Sequence, residues 1–202
     1  QVANLLDTKN GDVYVFSGID SANPPVPNPD AIASSGFATQ IATAVGGLAA
    51  NGATATAAAT LTIAKSNVAG TSPFSTYLSQ SATNLSTQTL QTGPGEFQSV
   101  GLLASANSVA VSGGASTTGS YMRDLLRGLA TLGSLTSSQV NDPNFAPLIQ
   151  DIRTSLTGAI GAMATDVGVL GDRQTALTAE QSISRDVVLG LTAQIGNAEN
   201  VD

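Results

Sequence analysis

The chain of 202 residues contains no cysteine and no histidine. The first absence removes disulfides, thiol nucleophiles and thiolate metal sites. The second removes the commonest general base, the commonest neutral metal ligand and the near-neutral pH switch. Lack of cysteine does not identify a compartment, because exported proteins also do without disulfides. Charge is scarce as well, at 10% of residues against about a quarter in ordinary domains. The seven lysines and arginines are scattered without a basic stripe and the net charge is −7, so no nucleic-acid partner is expected. No run approaches the roughly 20 apolar residues of a membrane span, so no membrane insertion is expected. The start, at Gln1, lacks the basic region and apolar run of a signal peptide.

Apolar residues reach 42%, but aromatics are only 4% and alanine supplies much of the rest, so the core is expected to be thin or elongated. The length suits one or two domains. "VANLL" reads as the last turn of a helix, and Asn10-Gly11 as a turn leaving it. "DVYVFSGI" alternates Val13 and Val15 against Tyr14 and Phe16, the period of a short strand. "NPPVPNPD" follows with four prolines, an extended connection at which a boundary is placed.

From Asp30, as N-cap, one helix is expected through Phe37, Ile41, Val45 and Leu48 to a stop at Asn51-Gly52. "ATATAAATLTIAKSN" leans to helix, and Ser72-Pro73 predicts a short helix carrying Phe74, Tyr77 and Leu78. The stretch "QSATNLSTQTLQTGPG" reads as a polar loop closed by a Gly-Pro-Gly turn, and a hairpin is expected between "EFQSVGLLA" and "SVAVSG". "SYMRDLLRGLATLGSL" predicts a helix capped by Ser120, with Met122, Leu125, Leu129 and Leu132 on one face.

Beyond residue 148 there is no proline, and a heptad seam runs on alternating steps of four and three. Its apolar members are Leu156, Ile160, Met163, Val167, Leu170, Leu177, Val188, Leu191 and Ile195, with Gln174, Gln181, Ser184 and Ala198 in step. One long helix is predicted, roughly 60–80 Å at about 1.5 Å per residue, longer than the rest of the chain can cover. The seam therefore predicts packing between helices, and its polar members are expected to set register. The fold class is α+β, predominantly helical: a helical-bundle remnant formed by 1–27 and 143–202, with 28–142 inserted as a mixed outer domain containing a small antiparallel hairpin.

That layout, with "NLLDTKNGDVYVFSGIDSANPPV" and the closing "LGDRQTALTAEQSISRDVVLGLTAQIGNAENVD", resembles the flagellin superfamily, and within it the hook-associated proteins of the hook–filament junction. Asn10, Gly11, Tyr14, Phe16, Ser17, Gly18, Pro24 and Pro25 stand at the matching places of the superfamily's junction motif. "YMRDLLRGLATLGSL" is similar to the helix before its C-terminal bundle helix, and Asn200, Val201 and Asp202 to the acidic turn that closes it. The resemblance implies a trimmed core without the leading bundle helices and terminal arms. It implies a structural subunit of the bacterial flagellum, exported without a cleaved signal peptide by way of a chaperone. Its partners would be other copies in a ring, flagellin and a neighbouring hook-associated protein, and its work mechanical rather than catalytic. Two alternatives stay open: a filament flagellin, and a cell-surface adhesin or glycan-binding module on the same scaffold.

The carboxylates give little chemistry. Asp166 and Asp172 on the long helix, and Asp124 beside Arg123 and Arg127, read as surface charges. Glu96 stands alone in a loop, which is weak for acid–base work, and neither "GVLGDRQT" nor "VGGLAANG" has the form of a phosphate loop. Asp20, Asn28 and Asp30 lack calcium-loop spacing and suit turns and caps better. No catalytic residue, metal site or cofactor is expected.

Overall fold

The computed structural model describes residues 1–93 and 95–199. Its order is α1 (Val2–Leu6), β1 (Lys9–Asn10), β2 (Val13–Tyr14), α2 (Gly36–Gly46), α3 (Leu48–Lys65), β3 (Thr89–Gly93), β4 (Glu96–Ser99), α4 (Tyr121–Ser134) and α5 (Phe145–Glu199), with short 3-10 turns between. The fold is predominantly helical α+β, with a long C-terminal helix and small antiparallel hairpins.

β1 and β2 form a minimal hairpin, Asn10 opposite Val13, turning on Gly11 at φ +61°. A positive φ at the first loop position suits glycine and matches strand twist. The chain then leaves the hairpin, and its next residues bond to 102–104 rather than extending the strand. Leu102 N–H donates to the Val15 carbonyl at 3.3 Å, and Ala104 N–H to that of Phe16 at 2.9 Å.

The expected helix from Asp30 is two helices. Pro29–Ser34 is a 3-10 turn, and the N-cap of α2 is Ser35, whose Oγ accepts the Ala38 N–H at 3.3 Å. Gly52, at φ +81°, kinks α3 instead of ending it, and Asn144 Oδ1 accepts the Ala53 N–H at 3.3 Å where the helix resumes. The threonine-rich stretch is helical, as expected. Residues 72–79 form turns without a helix, yet Phe74 and Leu78 are buried.

The hairpin lies one segment earlier than expected. β3, within the supposed polar loop, pairs with β4 from Thr89↔Ser99 to Gly93↔Glu96, helped by Gly95 at φ +80°. Pro94, in the predicted Gly-Pro-Gly turn, lies outside the described residues. Residues 108–110 are held by α5 instead of by a partner strand.

The main core joins Ala3, Leu6 and Val26 to Phe37, Ile41, Val45, Ala64, Phe74, Leu78, Ala104 and Leu126. Segment 1–27 and the middle segment thus share one apolar cluster. Leu148 of α5 packs with Leu48 and Ala53, so the start of α5 is also seated on 28–142. α4 carries the least expected pattern. Its buried face bears Tyr121, Arg123, Asp124, Leu126, Arg127, Gly128 and Thr131, while Leu129 and Leu132 of the predicted apolar face are exposed. Ser120 stands at the N-cap without a side-chain cap bond; Asn107 Oδ1 takes the Tyr121 N–H at 2.9 Å in its place.

Candidate functional site

The long helix α5 has 55 residues, about 80 Å at 1.5 Å per residue. Its first half lies on α3 and α4, and the β3–β4 hairpin reaches its middle, where Leu90, Gln91 and Thr92 face Gln174, Leu177 and Gln181. From Gln181 to Ile195 every residue is exposed. Among the described residues no helix is long and apolar enough to cross a membrane.

Two parallel stripes run along α5. The buried one is Leu148, Ile152, Ser155, Ala159, Ala162 and Asp166, stepping by four and three. The predicted seam lies one residue further on, rotated by about 100°. Leu156 is half-buried against Gly128, where an added Cβ would come within 2.9 Å of Leu156 Cδ2. Met163 is half-buried beside Tyr121, Ala159 and Ala162. Leu170 and Leu177 are half-buried too, whereas Ile160, Val167, Val188, Leu191 and Ile195 are at least half exposed.

The offset follows from size. Close approach of α5 to its neighbours favours small residues on the contact line, and bulky ones flank it. Ser155, Ala159 and Ala162 therefore take the line that larger residues would take in a wider gap. The seam is left on the flank, partly turned outward. Ala198 and the closing triplet Asn200, Val201 and Asp202 lie outside the described side chains.

The junction motif is gathered at one place. Asn10 is exposed on β1 and Gly11 makes the turn; Tyr14 donates its N–H to Ser21 O at 2.8 Å and lies under Lys9 Nζ, 4.4 Å from the ring centre. Phe16 packs against the main core. Ser17 Oγ donates to Asn23 O at 2.6 Å, which folds the chain back before the prolines. Gly18, at φ +62°, donates to Leu102 O at 2.9 Å, and a Cβ there would collide with the Ser86 carbonyl oxygen. Pro24 is half-buried, and Pro25 is buried with its carbonyl accepting the Ser75 N–H at 2.8 Å. Asp7, at the end of α1, accepts the Val26 N–H at 2.9 Å; burial raises its carboxyl, with that hydrogen bond acting in opposition.

Of the polar groups read as surface charges, Asp172 is exposed, whereas Asp166, Asp124, Arg123 and Arg127 are internal ties. Asp166 is 2% exposed and accepts three successive backbone N–H groups, from Ser108 at 2.6 Å, Val109 at 3.0 Å and Ala110 at 2.9 Å. Burial, then the charge and hydrogen bond of Asp166, push the Tyr121 hydroxyl up to about 12. Arg127, fully buried, donates to Thr60 Oγ1, to the carbonyls of Ser116 and Ala57 and to Asp151. Arg123 donates to the carbonyls of Ser105, Ala64 and Ser66 and to Asn67 Oδ1, closing the C-terminal end of α3; burial lowers its pKa. Asp124 accepts the Thr118 N–H at 2.6 Å, and burial raises its carboxyl against that bond and against Arg127.

One signal for Asp166 was in the sequence, since it continues the small-residue stripe by a step of four from Ala162. The loops bonded to the two arginines carry no comparable mark. Asp20 accepts Asn23 Nδ2 at 2.8 Å and Asp30 accepts Asn4 Nδ2 at 3.0 Å, so both serve as turn and tether groups. Among the described residues no three acidic groups converge as metal ligands. Comparisons with family models, with curated proteins and with solved structures give no match to this chain.

Proposed function

We propose that this chain is a structural subunit that works by packing α5 against helices of other copies, as a junction subunit of the bacterial flagellum does. The observation that supports this is the far half of α5. From Gln181 to Ile195 every residue is exposed, and this stretch carries Val187, Val188, Leu191 and Ile195 at 54–61% exposure. A continuous exposed apolar stripe of this kind is costly in water and marks a contact surface. Gly190 and Gly196 weaken the helix by about 1 kcal/mol each relative to alanine, so a partner is needed to hold it. The junction motif supports the same reading, because it fastens the end of α1 to the middle segment through Gly18, Pro25 and Asp7.

On this reading the protein is exported to the cell exterior, its partners are copies of itself and the neighbouring flagellar subunits, and no chemistry is performed. Sedimentation of the purified chain over a range of concentrations tests it, against the triple variant Val188→Asp, Leu191→Asp, Ile195→Asp. The wild type is expected to associate and the variant to stay monomeric with unchanged thermal stability. A wild type that is monomeric throughout would sink the packing proposal. Labelled protein at the hook tip supports the junction position, and label along the whole filament supports a filament flagellin instead.

A further inference from the structure

Outside the seam, two adjoining cavities of about 350 and 480 Å³ lie where the loops 80–89 and 99–111 meet α4 and α5. They share Ala82, Leu85, Ala106 and Asn107, and each falls within the size range of small-molecule sites. Every charged residue lining them is a cation: Lys65 and Arg123 in the first, Arg173 in the second. In a chain of net charge −7 with seven basic residues, three cations without one lining carboxylate is a local reversal of sign. Two buried carboxylates bond to residues of these walls, Asp166 to 108–110 and Asp124 to Thr118, but neither lines a cavity.

Arg123 is engaged by the acceptors of Ser105, Ala64, Ser66 and Asn67, but among the described residues all three cations lack a carboxylate partner, the one ion pair being Arg127 with Asp151. The uncharged polar lining includes the amides of Asn67, Gln80 and Asn107 and the hydroxyls of Ser86, Thr87, Thr89, Ser99 and Ser108, set among apolar groups such as Leu85, Leu103, Val109 and Val111. Ser105 and Ser120, in the wall of the first cavity, carry buried hydroxyls with no hydrogen-bond partner. A cleft of one sign attracts the opposite charge, and such a lining matches a ligand with many hydroxyls. No aromatic side chain lines either cavity, so recognition rests on hydrogen bonds and charge rather than on ring stacking.

We infer that these adjoining cavities bind an acidic saccharide, with anionic groups facing Lys65 in the first cavity or Arg173 in the second and hydroxyls facing the amide and serine–threonine wall. Calorimetric titration of the intact chain with trigalacturonate, glucose 6-phosphate and neutral maltotriose tests this, repeated on the double variant Lys65→Gln, Arg173→Gln. Both side chains are at least partly exposed, and circular dichroism checks that the variant is folded. Trigalacturonate or the sugar phosphate is expected to bind, with affinity falling about tenfold or more in the double variant and with added salt. Which of the two binds identifies carboxylate or phosphate as the anionic group. Equal binding of maltotriose, binding unchanged in the double variant, or no binding of either anionic sugar overturns the inference. The seam is untouched by these substitutions, so such a failure leaves the assembly proposal standing.

Discussion

Arg127 on α4 and Asp151 on α5 form an ion pair of 2.6 Å in which the cation is fully buried and the anion is 22% exposed. The same guanidinium reaches Thr60 and Ala57 on α3 and Ser116 in the loop before α4, so one side chain ties four segments together. Removing one partner of a buried pair leaves an uncompensated charge, which costs about 3–5 kcal/mol. Asp151→Ala is therefore expected to lower the urea-unfolding free energy by about that amount, with the slope unchanged. A loss below about 1 kcal/mol would mean that water or Ser116 takes over the role of Asp151.

Asp166 supplies a second tie, from α5 to the loop 108–110 and to Tyr121. In Asp166→Asn the amide offers one acceptor oxygen in place of the carboxylate's two and no charge. Hydrogen exchange at Ser108, Val109 and Ala110 is expected to accelerate by about tenfold or more, well beyond the change at α2 amides, since bonds to charged groups contribute about 1.5–3 kcal/mol. The Tyr121 hydroxyl, at about 12 in the wild type, is expected to titrate lower in the variant, but not down to 10, because burial is the larger cause. Its folded-state value lies above the ordinary phenol value of 10.0. It thus contributes stability present in full below pH 10, lost as pH rises through about 12. Ultraviolet titration of the phenolate reads the shift, and an unchanged Tyr121 value would show that Asp166 does not act on it.

Where apolar periodicity controls packing, the sequence was readable. Phe37, Ile41 and Val45 lie on the buried face of α2, and the long proline-free stretch is one helix. The reading failed where small and polar residues do the packing. On α4, hydrophobicity pointed to Leu129 and Leu132, but the buried face is set by Gly128 against Leu156 and by arginines whose partners lie up to seventy residues away. A helix wheel cannot show that Arg123 faces the carbonyls at the end of α3. On α5 the line buried within the chain runs one residue ahead of the seam read for packing with other helices, because close approach selects Ser155, Ala159 and Ala162 over bulky neighbours. The hairpin was misplaced because the Asp166 carboxylate competes for the backbone of 108–110.

Asp124 lends itself to a pH test. Its carboxyl is fully buried and raised by burial, with Thr118 and Arg127 opposing. A raised folded-state value stabilises the fold below the ordinary carboxylate range, and that contribution is lost as pH rises through the raised value. The difference in stability between wild type and Asp124→Asn is expected to move in the variant's favour from pH 3 towards neutrality. The pH dependence is the readout, because the new amide also needs a partner for its N–H groups. Parallel urea curves at every pH would rule out Asp124 as the titrating group.

Two glycines of the junction motif separate backbone strain from collision. Gly11 and Gly18 have nearly the same φ, +61° and +62°. A side chain at Gly11 meets nothing within 4 Å, so Gly11→Ala is charged only with the left-handed backbone, about 1–2 kcal/mol. At Gly18 the added carbon also runs into the Ser86 carbonyl and lies 2.6 Å from Leu103 Cδ2. The backbone must then move away from Leu102 and Ser86, whose carbonyls accept the N–H groups of Gly18 and Ile19. Gly18→Ala is expected to cost more than Gly11→Ala by at least about 1–2 kcal/mol, and to speed hydrogen exchange at Gly18, Ile19 and Ala104. Equal losses for the two substitutions would mean that the loop at Ser86 yields freely, and the fastening role of Gly18 would then fall.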